Sequence, residues 1–427
     1  MIYLPSNLWK RADVMNLKQI LSEEQKGLVE LCAEISEELN VKAYLVGGAV
    51  RDLFLKKKIS DLDISIEGDG VLFAKALNQR LGGTLKIYDD FMTASITLSS
   101  LSQIDIITAR KESYSNYGEL PKVEAGDIYD DLKRRDFTIN AIAIKIDKFE
   151  LEVIDPLAGI KDIKNKQIRI LHEKSFKEDP TRILRAIRLA QRLNFRLNSH
   201  TLTLLKNAII YLDCVSSARI KNEFIKIIKE GKTTKILREL EKHKITASIL
   251  PGAQINLLSH KIVDKVKGLS KQEQEQDFNL HLTILLLIYW QCAKNKNDIL
   301  KIKWDFTNKE KRIIKWFLDN EAKINFITNY PEHVTDLHLY LLLEHVPQEA
   351  NIFLLSILED NKKIIERIQA LRNEISLPLE GKDLLQIGIA PGPIIGKILT
   401  ELEEEVLRGN ITSKKEAIEW VKLNYKS

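Results

Sequence analysis

The segment Tyr44–Asp63, YLVGGAVRDLFLKKKISDLD, constrains the fold more than any other stretch of the chain. A β-prone run ends at Val46, two glycines follow, helix-compatible residues begin near Ala49, and an alternating run opens at Asp61. A strand that turns through glycine into a helix and returns as a strand calls for a sheet with helices against it. Strands are predicted at Ala43–Val46, Leu62–Ile66, Thr84–Ile87, Ala94–Leu98, Gln103–Ile107 and Ala141–Lys145, with a helix over Gly70–Leu81. From about Ser175 the texture is almost wholly helical, rich in Leu, Ile and Lys, with apolar residues three and four apart. The reading is an N-terminal domain with one sheet, spanning 21–170, followed by an all-α remainder. No repeat of 20–50 residues is strong enough for a solenoid.

Within the opening segment, Gly47 and Gly48 let backbone N–H groups approach an anion closely. Arg51, expected on the first helical turn, carries a guanidinium suited to phosphate oxygens. The segment is neither a dinucleotide fingerprint nor a P-loop, since GxGxxG and GxxxxGK[ST] are both absent. Asp61, Asp63 and Ser65 alternate onto one face of the next strand, and Leu62, Ile64 and Ile66 onto the other. Two carboxylates about 7 Å apart along a strand repel unless a cation sits between them. Mg²⁺ prefers carboxylate oxygens together with substrate phosphates.

Three further segments carry polar groups that need an explanation. Asp105 lies in the apolar run QIDIITAR, where an acid is costly unless it is bound. It serves a metal or an activated nucleophile, or it pairs with an arginine. The stretch DLKRRDFTINAIA, Asp131–Ala143, crowds Arg134, Arg135, Asp136 and Asn140 together. Arg135 suits a triphosphate, and Asp136 and Asn140 suit a ribose. The plainer alternative is a polar turn with an internal salt bridge. In SFKEDPTRILRAIRLAQRL, Ser175–Leu193, Asp179 and Pro180 read as cap and first turn of a helix. Arg182, Arg185, Arg188 and Arg192 then share one face, apart from Ile183, Ala186, Ile187 and Ala190. Four arginines without interleaved acids are expected to want an anion.

Charge distribution agrees. The whole chain carries +5, but Lys161–Leu240 holds 19 Lys and Arg against 8 Asp and Glu. A basic block of that kind suits a polyanion. Cys32, Cys214 and Cys292 are far apart, with no CxxC, so a structural zinc site is not expected. All three read as buried free thiols of a reducing compartment. The first residues lack the apolar core of a signal peptide. The run His281–Trp290 falls well short of the about 20 residues that span a membrane, so a cytoplasmic protein is expected.

The motifs LVGGAVRD, DLD, DLKRRDFTINAIA and EDPTRILRAIRLA, in this order over Tyr44–Phe195, resemble those of the class II tRNA nucleotidyltransferases and bacterial poly(A) polymerases. The resemblance implies an α+β chain. Its polymerase-β-like head has a single mixed sheet and is followed by an all-α neck (171–240) and an all-α body and tail (241–427). It implies a metal-binding pair at Asp61 and Asp63, where Mg²⁺ is expected, and the reading of its own strand adds Asp105 as a further catalytic carboxylate. Gly48, Arg51, Arg135, Asp136 and Asn140 are implied to contact the nucleotide, and Gly47 is expected to join them from its place in the turn. Asp179 and Arg182 are implied to read the incoming base in place of a template, with Arg185 and Arg188 beside them. A carboxylate acceptor and a guanidinium donor match the pairing edges of C and A and serve U and G poorly. The implied partners are the tRNA 3′ end, CTP and ATP, and the implied products are C, C and A additions. An A-only adder and a poly(A) polymerase are the alternatives within the family. A non-catalytic RNA-binding relative would be expected to have lost a carboxylate or the glycine turn. The polar stretch Arg110–Asp130 reads as a mobile loop of the kind that accompanies terminal A addition. Ser216–Phe224 resembles the family's neck motif, except that Ala218 stands where an acid is usual.

Overall fold

The computed structural model describes residues 21–59, 61–98, 103–147, 152–272, 279–343, 346–358, 361–374 and 377–425. They form two compact units that meet in sequence between Ile249 and Leu250. In the first unit, α1 (Glu23–Glu38) leads to β1 (Lys42–Val46), α2 (Gly47–Phe54), β2 (Leu62–Glu67), α3 (Gly70–Leu81), β3 (Thr84–Tyr88), β4 (Thr93–Thr97) and β5 (Ile104–Thr108). The ribbon β6 (Arg110–Ser113) and β7 (Lys122–Ala125) follows, then α4 (Ile128–Lys133), β8 (Ala143–Ile146), β9 (Val153–Ile154), α5 (Gly159–Lys164) and β10 (Gln167–Ile168). The helical part holds α6 (Ser175–Glu178), α7 (Thr181–Leu193), β11 (Arg196–Leu197), α8 (Ser199–Ala208), α9 (Ser217–Lys229) and α10 (Thr233–Lys242).

The main sheet has seven strands in the order β3-β4-β5-β2-β1-β8-β9. All six predicted strands belong to it, with ends shifted by one or two residues. Among the described strands of this sheet only β2 and β5 pair in parallel, because α3, β3 and β4 carry the chain over between them. Ile64 lies beside Ile106, which faces Ala94. These apolar residues are buried, as are Phe73, Ala74 and Leu77 on the inner face of α3. Asp69 caps α3 by accepting from the Val71 and Leu72 N–H groups, and Gly82 ends it in the left-handed conformation. Alternation leaves the other face of the sheet to the polar residues. Tyr44 pairs with Ser65, and Asp63 stands two residues away on that same side. Its apolar part, Tyr44, Val46, Ala141 and Ala143, is covered by Ile128 and Leu132 of α4.

Three expectations need correction here. Arg110–Asp130 is a two-stranded antiparallel ribbon leading into α4, not an irregular loop. Cys32 and Cys292 are buried, but Cys214 is exposed. It ends a short 3₁₀ turn, Ile209–Cys214, that buries Leu212 instead. Helix α2 starts at Gly47, two residues earlier than predicted, so Arg51 falls in its second half. The Cys32 thiol is pushed up to about 12 by burial, which makes it unreactive.

In the second unit the most apolar segment forms the buried helix Leu280–Cys292. Trp290, Phe317 and Phe353 meet edge to face there, with centroids 5.5–6.3 Å apart. Residues 377–425 gather a small core of their own around Leu384, Ile398, Leu402 and Val421. Among the described residues no helix is long and apolar enough to cross a membrane.

Candidate active site

The parallel pairing of β2 with β5 sets Asp63 directly beside Asp105, and β4 sets Ser95 opposite Asp105. Asp105 is oriented by that neighbour: its Oδ1 accepts from the Ser95 hydroxyl at 2.5 Å and the Gln103 amide at 2.6 Å. The arginine partner that was one alternative for Asp105 is thereby replaced by neutral donors. Asp61 precedes β2 by one residue and is exposed, while Asp63 is half-buried. Burial raises the Asp63 carboxyl above the usual range. Arg135 and the Gly48 N–H oppose the shift, and the Asp105 and Asp61 charges add to it. Carboxylates that converge against their own repulsion suit a divalent cation. Among the described residues no three His, Cys, Asp or Glu side chains form a ready-made cage. Two carboxylates nevertheless fit Mg²⁺, which takes its remaining ligands from phosphate and water.

Gly47 adopts φ +72°, and a Cβ there would lie 2.9 Å from both Arg135 Nη1 and Asp63 Oδ2. The glycine is therefore needed twice, for its backbone conformation and for the gap between a cation and an anion. Gly47→Ala is expected to cost on the order of 1–3 kcal/mol and to lower turnover roughly 10- to 100-fold by displacing Asp63. Thermal melting and a turnover assay of the same preparation measure the two effects.

Arg51 is buried and held on both sides: Nε and Nη2 bind Asp52 at 3.0 and 2.9 Å, and Nη1 donates to Asn140 Oδ1 at 2.7 Å. Asn140 passes the chain on, donating to Asp136 Oδ1 at 2.9 Å, and Arg185 Nε stands 2.7 Å from Asp136 Oδ2. Burial opposes the charge on Asp136, but Arg185 and the Asn140 amide outweigh it and hold the carboxyl below the usual range. Arg135 turns its Nε and Nη2 to Asp131 at 3.1 and 2.7 Å, which leaves Nη1 toward Gly47 and Asp63.

The arginines of α7 are paired, contrary to the expectation of an uncompensated face. Their acids come from other elements, which a helical wheel does not display. Arg185 meets Asp136, and Arg188 meets Glu230 at 3.0 Å with Glu223 at 3.7 Å. Arg192 lies 3.8 Å from Glu230. Asp179 stands one residue before the cap position, which Pro180 takes rather than the first helical position expected of it, and its Oδ1 accepts from the Thr181 N–H at 3.0 Å and the Thr181 hydroxyl at 2.6 Å. Arg182 is pinned by donating to Ser175 Oγ and, at 2.8 Å, to the Arg134 carbonyl.

All thirteen residues singled out from the sequence (Gly47, Gly48, Arg51, Asp61, Asp63, Asp105, Arg135, Asp136, Asn140, Asp179, Arg182, Arg185 and Arg188) line one cleft of about 910 Å³. Ten basic and seven acidic side chains face it, a balance suited to a polyanion bound with cations. Sequence reasoning missed Asp52, Ser95, Gln103, Asp131 and Arg219, which orient the others, and Glu112, which pairs with Arg134 at 3.1 Å. Asp131 stood inside the quoted DLKRRD motif and was the one most open to recognition.

Three family models match the chain. They are the poly(A) polymerase head domain over residues 43–169, the RNA and SrmB-binding site of polymerase A over 194–256, and tRNA nucleotidyltransferase domain 2 over 273–421. The A-adding tRNA nucleotidyltransferase of Halalkalibacterium halodurans is 31% identical, covering 96% of this chain and 94% of that protein. A CCA-adding enzyme solved in complex with ATP superposes with a TM-score of 0.76 at 29% identity, covering 96% and 98%. The Thermotoga maritima CCA-adding enzyme complexed with tRNA gives 0.69 at 30% identity, covering 97% and 99%.

Proposed function

The chain belongs to the family of tRNA nucleotidyltransferases and poly(A) polymerases, and from that premise we propose that it builds C, C and A onto the tRNA 3′ end from CTP and ATP without a nucleic-acid template. The observation that carries this reading is the register of Asp63 beside Asp105, facing the glycine turn and the α7 arginines across one cleft. Residues 21–170 are the catalytic head, 171–240 the neck, and 241–427 the body and tail that hold tRNA.

In each cycle the 3′-hydroxyl oxygen bonds to the α-phosphorus, the bond from that phosphorus to the bridging β-phosphate oxygen breaks, pyrophosphate leaves with that oxygen, and the hydroxyl proton passes to solvent water. Mg²⁺ bound by Asp61 and Asp63, as a pair of ions, would supply the charge neutralisation that this displacement needs. The turn at Gly47 and Gly48 and the Nη1 of Arg135 bind triphosphate oxygens. Asp136 and Asn140, fixed by Arg51 and Arg185, bracket the ribose. The Asp105 oxygen not bound to Ser95 and Gln103 orients the attacking hydroxyl. Asp179 and Arg182 read the base edge, and a wrong base leaves their buried polar groups unpaired.

Product analysis tests this reading, using tRNA that lacks the terminus, tRNA ending in CC, and unrelated RNA, each with labelled CTP and ATP. The expected products are three added nucleotides, one added A, and little on unrelated RNA. A-only addition is the second reading, favoured by the similarity to the Halalkalibacterium protein. It predicts label only on the CC-ending substrate. Long A tails on unrelated RNA would instead mark a poly(A) polymerase.

A further inference from the structure

Arg219 stands on the first turn of α9, where the helix dipole opposes a cation. Its guanidinium bridges two distant places. Nη2 donates to Asp179 Oδ1 at 2.6 Å, and Nη1 donates to the Gly118 carbonyl at 2.8 Å. Gly118 is at the tip of the β6–β7 ribbon, and its own N–H donates to the Glu178 carbonyl at 3.2 Å, one residue before Asp179. The tip can approach so closely only as glycine: φ is +78°, and a Cβ would lie 2.8 Å from the Cys214 carbonyl oxygen. Asp179 Oδ1 thus takes three donors, two from Thr181 and one from Arg219. Among the described residues Oδ2 has no donor so close; Arg182 Nε lies 4.0 Å from it.

We propose that Arg219 is a specificity-positioning residue: it fixes Asp179 through Oδ1 so that Oδ2, beside Arg182, is presented to the incoming base. The inference rests on the base-reading role given above to Asp179 and Arg182. A planar fork suits the task because its two arms reach the carboxylate and the ribbon carbonyl together. Without it, Thr181 still holds Oδ1, but the side chain is free to tilt and the ribbon tip loses its bond to the neck. Base choice then suffers more than the chemical step, because Arg219 bonds to neither Asp63 nor Asp105.

The test is nucleotide incorporation by the full-length protein on tRNA, comparing kcat/KM for CTP and ATP with that for UTP and GTP. Arg219→Ala is expected to lower discrimination about tenfold and to leave the KM for tRNA unchanged. Arg219→Lys, which reaches one partner but not both, is expected to fall in between. If Arg219→Ala proves less stable to heat, Arg219→Lys carries the test on its own. Discrimination equal to that of the unmodified protein overturns the proposal. Asp179→Ala separates the two levels. If it keeps full discrimination, the base-reading role falls and this inference with it. If it loses discrimination while both Arg219 variants keep theirs, only the role of Arg219 falls.

Discussion

Asp63→Ala is expected to reduce nucleotide incorporation roughly a thousandfold or more, which is the several kcal/mol that a bound cation contributes to such a displacement. The side chain is half-buried between Asp105 on the neighbouring strand and the glycine turn, with Arg135 Nη1 close by. Removing it takes away the proposed cation ligand without opening the apolar core, which lies on the opposite face of the sheet around Ile64, Ile106 and Phe73. Binding of tRNA is therefore expected to persist, since phosphate contacts from Lys and Arg dominate such affinities. Filter binding alongside single-turnover incorporation separates the two. Turnover within tenfold of the unmodified protein would remove Asp63 from the mechanism.

The second large effect concerns stability. Asp131 is fully buried and accepts from Arg134 at 2.6 and 2.9 Å and from Arg135 at 2.7 and 3.1 Å. Burial disfavours its charge, but Arg135 and Arg134 outweigh that and hold the carboxyl below the usual range. Asp131→Ala strips the anion from two enclosed guanidinium groups and is expected to cost about 3–5 kcal/mol. Arg135 would also lose the bonds that aim its Nη1 at Gly47, so activity falls together with stability. Denaturant titration of both proteins measures the loss, and a cost below 1 kcal/mol would refute the role of Asp131 as the anchor. The pH dependence follows from the same shift. A folded-state value below the unfolded value of about 3.9 means that the contribution is fully present from about pH 5 upward. It disappears as the pH falls through the folded value, so Asp131→Ala should flatten the acid limb of the stability curve.

Much of the fold and most of the site were legible in the sequence, because the informative signals are local. Alternation in β2 and β5 gave the strands, and the paired glycines marked the turn. Asp61 and Asp63 shared a face by period two alone. What stayed hidden depends on residues far apart in the chain. Arg188 and Glu230 are 42 positions apart and Arg219 and Asp179 are 40 apart, so no window on one helix shows their pairing. The β6–β7 ribbon escaped notice because Arg110–Ser113 and Lys122–Ala125 are largely polar and half-exposed, without the alternation that marks a strand over a core. Its tip is held through the backbone of Gly118, whose N–H meets the Glu178 carbonyl and whose carbonyl accepts from Arg219, bonds between distant positions that no local pattern advertises. Strands β10 and β11 are two residues each, too short for any periodicity. Cys214 shows the limit of an apolar neighbourhood as evidence for burial: Leu212 turns inward and the thiol outward.

Electron paramagnetic resonance of Mn²⁺ bound to the full-length protein, titrated with and without a non-hydrolysable triphosphate, interrogates the carboxylate pair itself. Tight Mn²⁺ binding that appears with the triphosphate, and that is lost in both Asp61→Asn and Asp63→Asn, is the expected result. Unchanged Mn²⁺ affinity in those two variants would contradict it.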